Sequence, residues 1–288
     1  MHRRETFKWI ALGPFAMSMR AALSPLAALV SEPHPVQRSF VQITDEQEIE
    51  LGDQFAANAE KSLEIVSGGG LDTYLNGMVR RLARVSQRPN LPYSVKLVNS
   101  QDVNAFSIAG GHVYVHRGLI ESIETEDELA ATLGHEIGHI VARHSINELA
   151  RELEARRLLS IVLANLSRPN GVVARVIDRL GGFATVLALL HYSRADENEA
   201  DLLGFYEMLR AGWDPHGMLK LFQMLELVGP RASRYLSSHP PNADRAAVIR
   251  NELEQVRLPA GLRKDSIAFH LFKTTLGALP APTSGLAR

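Results

Sequence analysis

The segment His135-Glu136-Ile137-Gly138-His139 carries the clearest chemistry in this 288-residue chain. Two histidines at i and i+4 lie on one helical face, one turn apart. Both imidazoles can therefore bind one cation at about 2.0–2.1 Å. Glu136 stands next to the first histidine and can reach a metal-bound water, where it would act as general base. Zinc lowers the pKa of such a water toward about 7. The chain has no cysteine and 11 histidines. Any metal site must then use His, Asp or Glu, a donor set that suits zinc, with other first-row metals competing.

A zinc hydrolase keeps three protein ligands and an open position, so a third ligand must come from elsewhere. Residues 193–201 offer Glu197 and Asp201 on one helical face. One carboxylate can bind metal while the other accepts a hydrogen bond from the far ring nitrogen of a ligand histidine. His144, five residues past His139, points about 140° away and reads as a surface residue. His112 and His116 share a strand face with Tyr114 and read as surface residues or as lining of the cleft. His191 and His216 carry no usable pattern.

The element that presents the two histidines is well marked. Thr125 is an N-cap and Glu128 completes a capping box. Glu126 and Asp127 place negative charge at the positive helix end, and the helix runs to about Arg143 or further. Before it, apolar spacing predicts helices over 44–66 and 71–85. Short strands follow at 93–98, 104–108 and 112–116, the last two around Gly110-Gly111, then a helical turn at 118–122. After it, residues 158–190 read as two helices joined at 167–171, a strong turn signal. Their apolar faces pack in the core or touch a membrane surface. Further helices are expected at 194–209, from Pro215 to about Val228, and from the cap Asn242 to about Gln255. The fold class is α+β, mainly helical, with one small β-sheet.

Composition bounds the rest. An apolar fraction of 45% and a charged fraction of 22% are those of an ordinary globular protein. A net charge of −1 gives no broad electrostatic reason to expect nucleic acid as a partner. The absence of cysteine removes disulfides, thiolate metal sites and cysteine nucleophiles. Arg3, Arg4 and Lys8 precede a mostly apolar stretch and then small residues, the plan of an export signal. No later run reaches the ~18 apolar residues of a membrane helix. The chain is expected to divide into a signal peptide or N-terminal arm and linker (1–38), a domain that carries the candidate metal site (39–260) and a C-terminal tail (261–288).

Over about residues 45–256 the sequence resembles the HtpX-like and CAAX-prenyl-protease-like family of gluzincin metallopeptidases, and within it the soluble periplasmic BepA-like branch. The resemblance rests on His135 to His139 with Gly138, and on Ser193-Arg194 followed by Glu197 and Asp201. It rests also on Asn104-Ala105-Phe106 with Gly110-Gly111, and on His239-Pro240 with Arg245 six residues later. It implies a zincin-like domain binding one zinc ion through His135, His139 and Glu197, with Glu136 as general base and Asp201 behind the ligands. By the same resemblance, residues 105–115 form a sheet edge over the cleft, where an extended polypeptide adds as a strand, with Asn104, Ala105, Phe106, Gly110 and Gly111 contacting it. His239 and Arg245 approach the metal or the oxyanion. For His239 two outcomes are open: a latch on the fourth metal position, or a hydrogen-bond donor to the oxyanion.

The membrane helices of the HtpX and CAAX branches have no counterpart here. Only about thirty residues follow the catalytic core, where the BepA-like branch carries a helical-repeat domain. The expected function is a zinc-dependent endopeptidase acting on unfolded or misassembled proteins of the cell envelope, periplasmic or secreted. An uncleaved N-terminus would instead hold it at the membrane. The rival reading is a chaperone or assembly factor that binds extended polypeptides and whose metal site is latched and rarely active.

Overall fold

The structure, a computed structural model, describes residues 43–68, 70–166, 171–180, 192–232, 235, 237, 239 and 243–282. The expected export signal, most of the turn at 167–171, the end of the second helix of that pair, His191 and the last residues of the tail lie outside the described residues.

Helix α1 (Asp45–Ala59) starts in a capping box, Gln47 N donating to Thr44 Oγ1 and Thr44 N to Gln47 Oε1. The helix expected over 44–66 ends early because Ile65 and Val66 leave it as strand β1 (Ile65–Val66) and pair with Val98 and Leu97. Then come α2 (Leu71–Ala83), β2 (Ser94–Val98), β3 (Ala105–Ile108), β4 (His112–His116) and α3 (Arg117–Ser122). The sheet order is β1-β2-β4-β3, with β2 and β4 parallel and the other pairs antiparallel.

Side chains alternate across this sheet. Ala105, Val113 and Val115 join the core formed with α2 and with α4 (Glu126–Val141). Phe106, Ile108 and Tyr114 join a second cluster with Phe55 of α1 and Ile146 and Leu149 of α5 (His144–Ala155). Helices α6 (Leu159–Asn165) and α7 (Val172–Arg179) close that side, with Val162, Val173 and Ile177 buried. Helices α8 (Arg194–Ala211) and α9 (His216–Val228) pack on α4, and α10 (Ala243–Gln255) packs on both. This is the α+β, mainly helical fold with one small sheet that the sequence predicts. Among the described residues no helix is long and apolar enough to cross a membrane.

Two local expectations change. The Thr125 capping box does not form: Thr125 Oγ1 bonds Asp127, and Lys220 Nζ binds both groups. The Glu128 carboxylate accepts from Glu124 N at 2.6 Å instead. The first amides of α4 are satisfied from the far end of the chain, Glu126 N by Asp265 Oδ1 and Asp127 N by Lys264 O. The segment read as a tail thus caps the central helix. It continues as α11 (Ile267–Gly277), whose Phe269, Phe272 and Leu276 are buried against the core.

Candidate metal centre

Helices α4 and α8 meet backbone to backbone. A Cβ on Gly138 would stand 2.5 Å from Ala200 O, and one on Gly204 would stand 2.8 Å from the Gly134 carbonyl carbon. Only glycine permits that approach. It brings His135 and His139 of α4 against Glu197 and Asp201 of α8. Ser193 starts α8 with a capping box to Asp196, which sets where its first turn lies.

Among the described residues one group of histidines and carboxylates is close enough to share a cation: His135, His139, Glu197 and His239, whose ligand atoms all lie within 4.8 Å of one another. All four are at most 1% exposed. His135 Nε2 is 3.0 Å from His139 Nε2 and 3.1 Å from His239 Nδ1. Glu197 Oε1 is 3.0 Å from His239 Nδ1 and 3.4 Å from His139 Nε2. Ligands at about 2.0–2.1 Å around a tetrahedral zinc stand about 3.3 Å apart. Four of the donor separations are close to that value, so the group is compact enough to share one cation. Both Glu136 carboxylate oxygens, and His239 Nε2, are buried with no hydrogen-bond partner among the described residues, and Glu136 Oε1 lies 3.6 Å from His239 Nε2. A buried unpaired carboxylate is costly, and a cation in this group would offset its charge.

The surroundings hold the ligands in place. His135 Nδ1 donates to Asp201 Oδ1 at 2.8 Å. Arg245, on α10, donates to both Asp201 oxygens, through Nε at 2.6 Å and Nη2 at 2.7 Å. Its Nη1 is 2.6 Å from Glu197 Oε2. The guanidinium, expected to approach the metal or the oxyanion, is committed to two carboxylates of the centre, Asp201 and Glu197. Burial opposes charge on Asp201, but Arg245 outweighs it and holds the carboxyl below its ordinary range. Burial likewise opposes charge on Glu197, and His239 with the His139 hydrogen bond outweighs it. Burial and the neighbouring His135 hold His139 well below the usual imidazole value, in the neutral form that binds metal.

Sequence reasoning misplaces two histidines. His144 is buried, its Nδ1 2.9 Å from His139 Nδ1. The 140° count assumed a continuous helix, but α4 is capped at Ala142 and Arg143 turns left-handed, φ 60°. His116 is buried too, edge-on to Phe106, on the sheet face that carries Tyr114 and turns toward α1. His112 pairs with Asp53 of α1 at 2.8 Å. Tyr192, stacked on His139 at 4.0 Å, and Tyr235, stacked on His239 at 4.5 Å, were not singled out. Their signal is proximity: Tyr192 directly precedes Ser193-Arg194, and Tyr235 lies one helical turn before His239.

At the sheet, β3 is an outer strand. His116 N donates to Asn104 O, so by antiparallel alternation Ala105 and Ser107 turn their backbone groups to the unpaired side. Ser107 O accepts from Ser145 Oγ at 3.4 Å, and Ser145 Oγ bonds the Tyr192 hydroxyl at 2.9 Å. Asn104 is buried, and its Oδ1 has no hydrogen-bond partner among the described residues. The Phe106 ring stacks on Tyr114, on the sheet face toward α1. Gly110 and Gly111 (φ 83° and 107°) turn the hairpin against Ile49 of α1 and against Pro92-Tyr93.

A buried His-His-Glu-His group between two helices of an α+β fold is the centre of a metallopeptidase-like domain. The model of peptidase family M48 matches residues 71–253, well over half of the chain, and the chain belongs to that family, in agreement with the resemblance read from the sequence. It is 28% identical over 223 residues to the Beta-barrel assembly-enhancing protease of Escherichia coli (strain K12), covering 73% of this chain and 45% of that protein. It is 30% identical over 199 residues to Metalloprotease YcaL of the same strain, covering 66% and 76%. It is 28% identical over 200 residues to Mitochondrial metalloendopeptidase OMA1 of Schizosaccharomyces pombe, covering 68% and 56%. The chain spans about half the length of the first of these.

Proposed function

We propose that the chain is a zinc-dependent endopeptidase cleaving unfolded or misassembled polypeptides of the cell envelope. The observation that carries this reading is the convergence of His135, His139, Glu197 and His239, ligand atoms within 4.8 Å of one another, beside the buried carboxylate of Glu136, which has no hydrogen-bond partner among the described residues. The names of its relatives, an assembly-enhancing protease and two metallopeptidases, support the reaction class.

In this reading His135, His139 and Glu197 hold the zinc, which when bound supplies Lewis acidity for the scissile carbonyl and lowers the pKa of a nearby water. Glu136 takes the proton of the attacking water and passes it to the leaving amine nitrogen. Asp201 fixes the ring of His135, and Arg245 holds Asp201 and Glu197 in register. His239 takes the fourth corner in this closed arrangement and acts as a latch. Its ring must swing out before a peptide carbonyl can enter. The substrate pairs as an added strand with the free side of β3, which requires Ser145 and Tyr192 to yield. Export through the N-terminal segment would deliver the enzyme to the envelope.

The closed site favours a second reading, a chaperone or assembly factor that holds extended polypeptides and rarely cuts. Zinc content and casein-type proteolysis are the test. One zinc per chain, with cleavage lost on chelation and restored by zinc, supports the endopeptidase. Zinc bound without cleavage, while aggregation of an unfolded client is suppressed, supports the chaperone.

A further inference from the structure

We propose that His144 is a positioning residue of the metal centre: it acts through His139 and is itself oriented by Glu199 and Asp196. The inference rests on the metal-binding reading above and deepens it. His144 is the first residue of α5 and 4% exposed. Its Nδ1 lies 2.9 Å from His139 Nδ1, and its Nε2 lies 3.2 Å from Glu199 Oε2 and 3.5 Å from Asp196 Oδ1. The two rings stand at 71° with centroids 5.0 Å apart, so the nitrogens meet edge to edge and the rings do not stack.

One arrangement of protons satisfies this chain. His139 Nε2 faces His135 Nε2 and Glu197 Oε1, so it must keep its lone pair for the cation. The proton of a neutral His139 is then on Nδ1. That N–H donates to His144 Nδ1, which must offer a lone pair. The proton of His144 is then on Nε2, where it donates to the carboxylates of α8. The reverse order would put the His139 proton on Nε2, facing the other donors, and would cost the cation a ligand. His144 therefore selects the metal-binding tautomer of His139 and sets its ring plane.

Helix α8 thereby supports the centre on three sides. Glu197 is a direct ligand, Asp201 backs His135, and Glu199 with Asp196 backs His139 through His144. The left-handed turn at Arg143 makes this possible, because it returns the chain to the metal helix at His144. Asp45 and Glu48 of α1 hold that turn through the Arg143 guanidinium.

Three substitutions separate positioning from space filling. Asn at 144 keeps an acceptor where Nδ1 stands. Gln keeps a polar atom near the Nε2 position but none beside His139. Leu fills the space and offers neither. Zinc affinity is read by competition with a chromophoric chelator, alongside the thermal midpoint of each metal-free protein. His144→Leu and His144→Gln should bind zinc about 10–100-fold more weakly, with His144→Asn close to wild type. Wild-type affinity in His144→Leu, or in His144→Gln should the Leu variant not fold, overturns the proposal. So does an equal loss in Asn and Gln variants that tracks their thermal midpoints. A wild-type protein that binds no zinc overturns the metal-centre reading itself, and this proposal with it.

Discussion

The α-carbon of Gly138 faces the carbonyl of Ala200 so closely that a Cβ there would stand 2.5 Å from the oxygen. That contact sets the spacing of α4 and α8, and so the distance from His135 and His139 to Glu197. Gly138→Ala should push the helices apart and destabilise the protein by about 1–3 kcal/mol. Zinc stoichiometry should fall with it, because a ligand set displaced by a few tenths of an ångström no longer closes. Thermal unfolding with zinc titration checks this, and unchanged zinc binding would show that the helices adjust independently of the centre.

Arg245 and Asp201 should separate kinetically and thermodynamically. Asp201→Asn keeps the shape but weakens the acceptor for His135, and should reduce zinc affinity or turnover about 10–100-fold. Arg245→Met leaves two buried carboxylates without their cation and should cost about 3–5 kcal/mol. Zinc should recover part of that loss by binding Glu197, so the Arg245→Met deficit should be larger in metal-free than in zinc-loaded protein. Equal deficits in the two forms would place Arg245 outside the electrostatics of the centre.

His239 completes the four-residue group, with Nδ1 3.1 Å from His135 Nε2 and 3.0 Å from Glu197 Oε1. As a latch, its removal should raise basal cleavage of an unfolded protein and leave zinc bound, because an open position is restored. As an oxyanion donor, its removal should lower kcat about 10²–10³-fold. Turnover and zinc content of His239→Ala decide between them, and no change in turnover would contradict both.

Gly110 and Gly111 were expected to serve the substrate edge. Their left-handed backbone forms the tight turn that was expected, and the turn packs against α1 and Pro92-Tyr93. Gly111→Val should therefore lower the thermal midpoint. A fully stable Gly111→Val protein with a raised KM would return the residue to the substrate edge.

Helical spacing was enough to put His135 and His139 on one face and to pair Glu197 with Asp201. It could not reveal His144, because the turn that brings it back is a left-handed non-glycine residue, Arg143, held by carboxylates 95 or more residues earlier in the chain. It also missed the capping of α4 by Lys264 and Asp265, since local rules supply a cap from Thr125 and the tertiary contact overrides it. Strand β1 was lost for a similar reason. Two residues carry no periodicity, and Ile65 and Val66 become a strand only through β2.

The central claim is that Glu136 serves as the base beside a zinc held by His135, His139 and Glu197. The direct measurement is kcat/KM for cleavage of an unfolded protein by wild type and Glu136→Gln, each shown to carry one zinc per chain. Loss of a general base predicts a fall of about 10²–10⁴-fold with zinc retained. Equal cleavage by two zinc-loaded proteins would contradict the account.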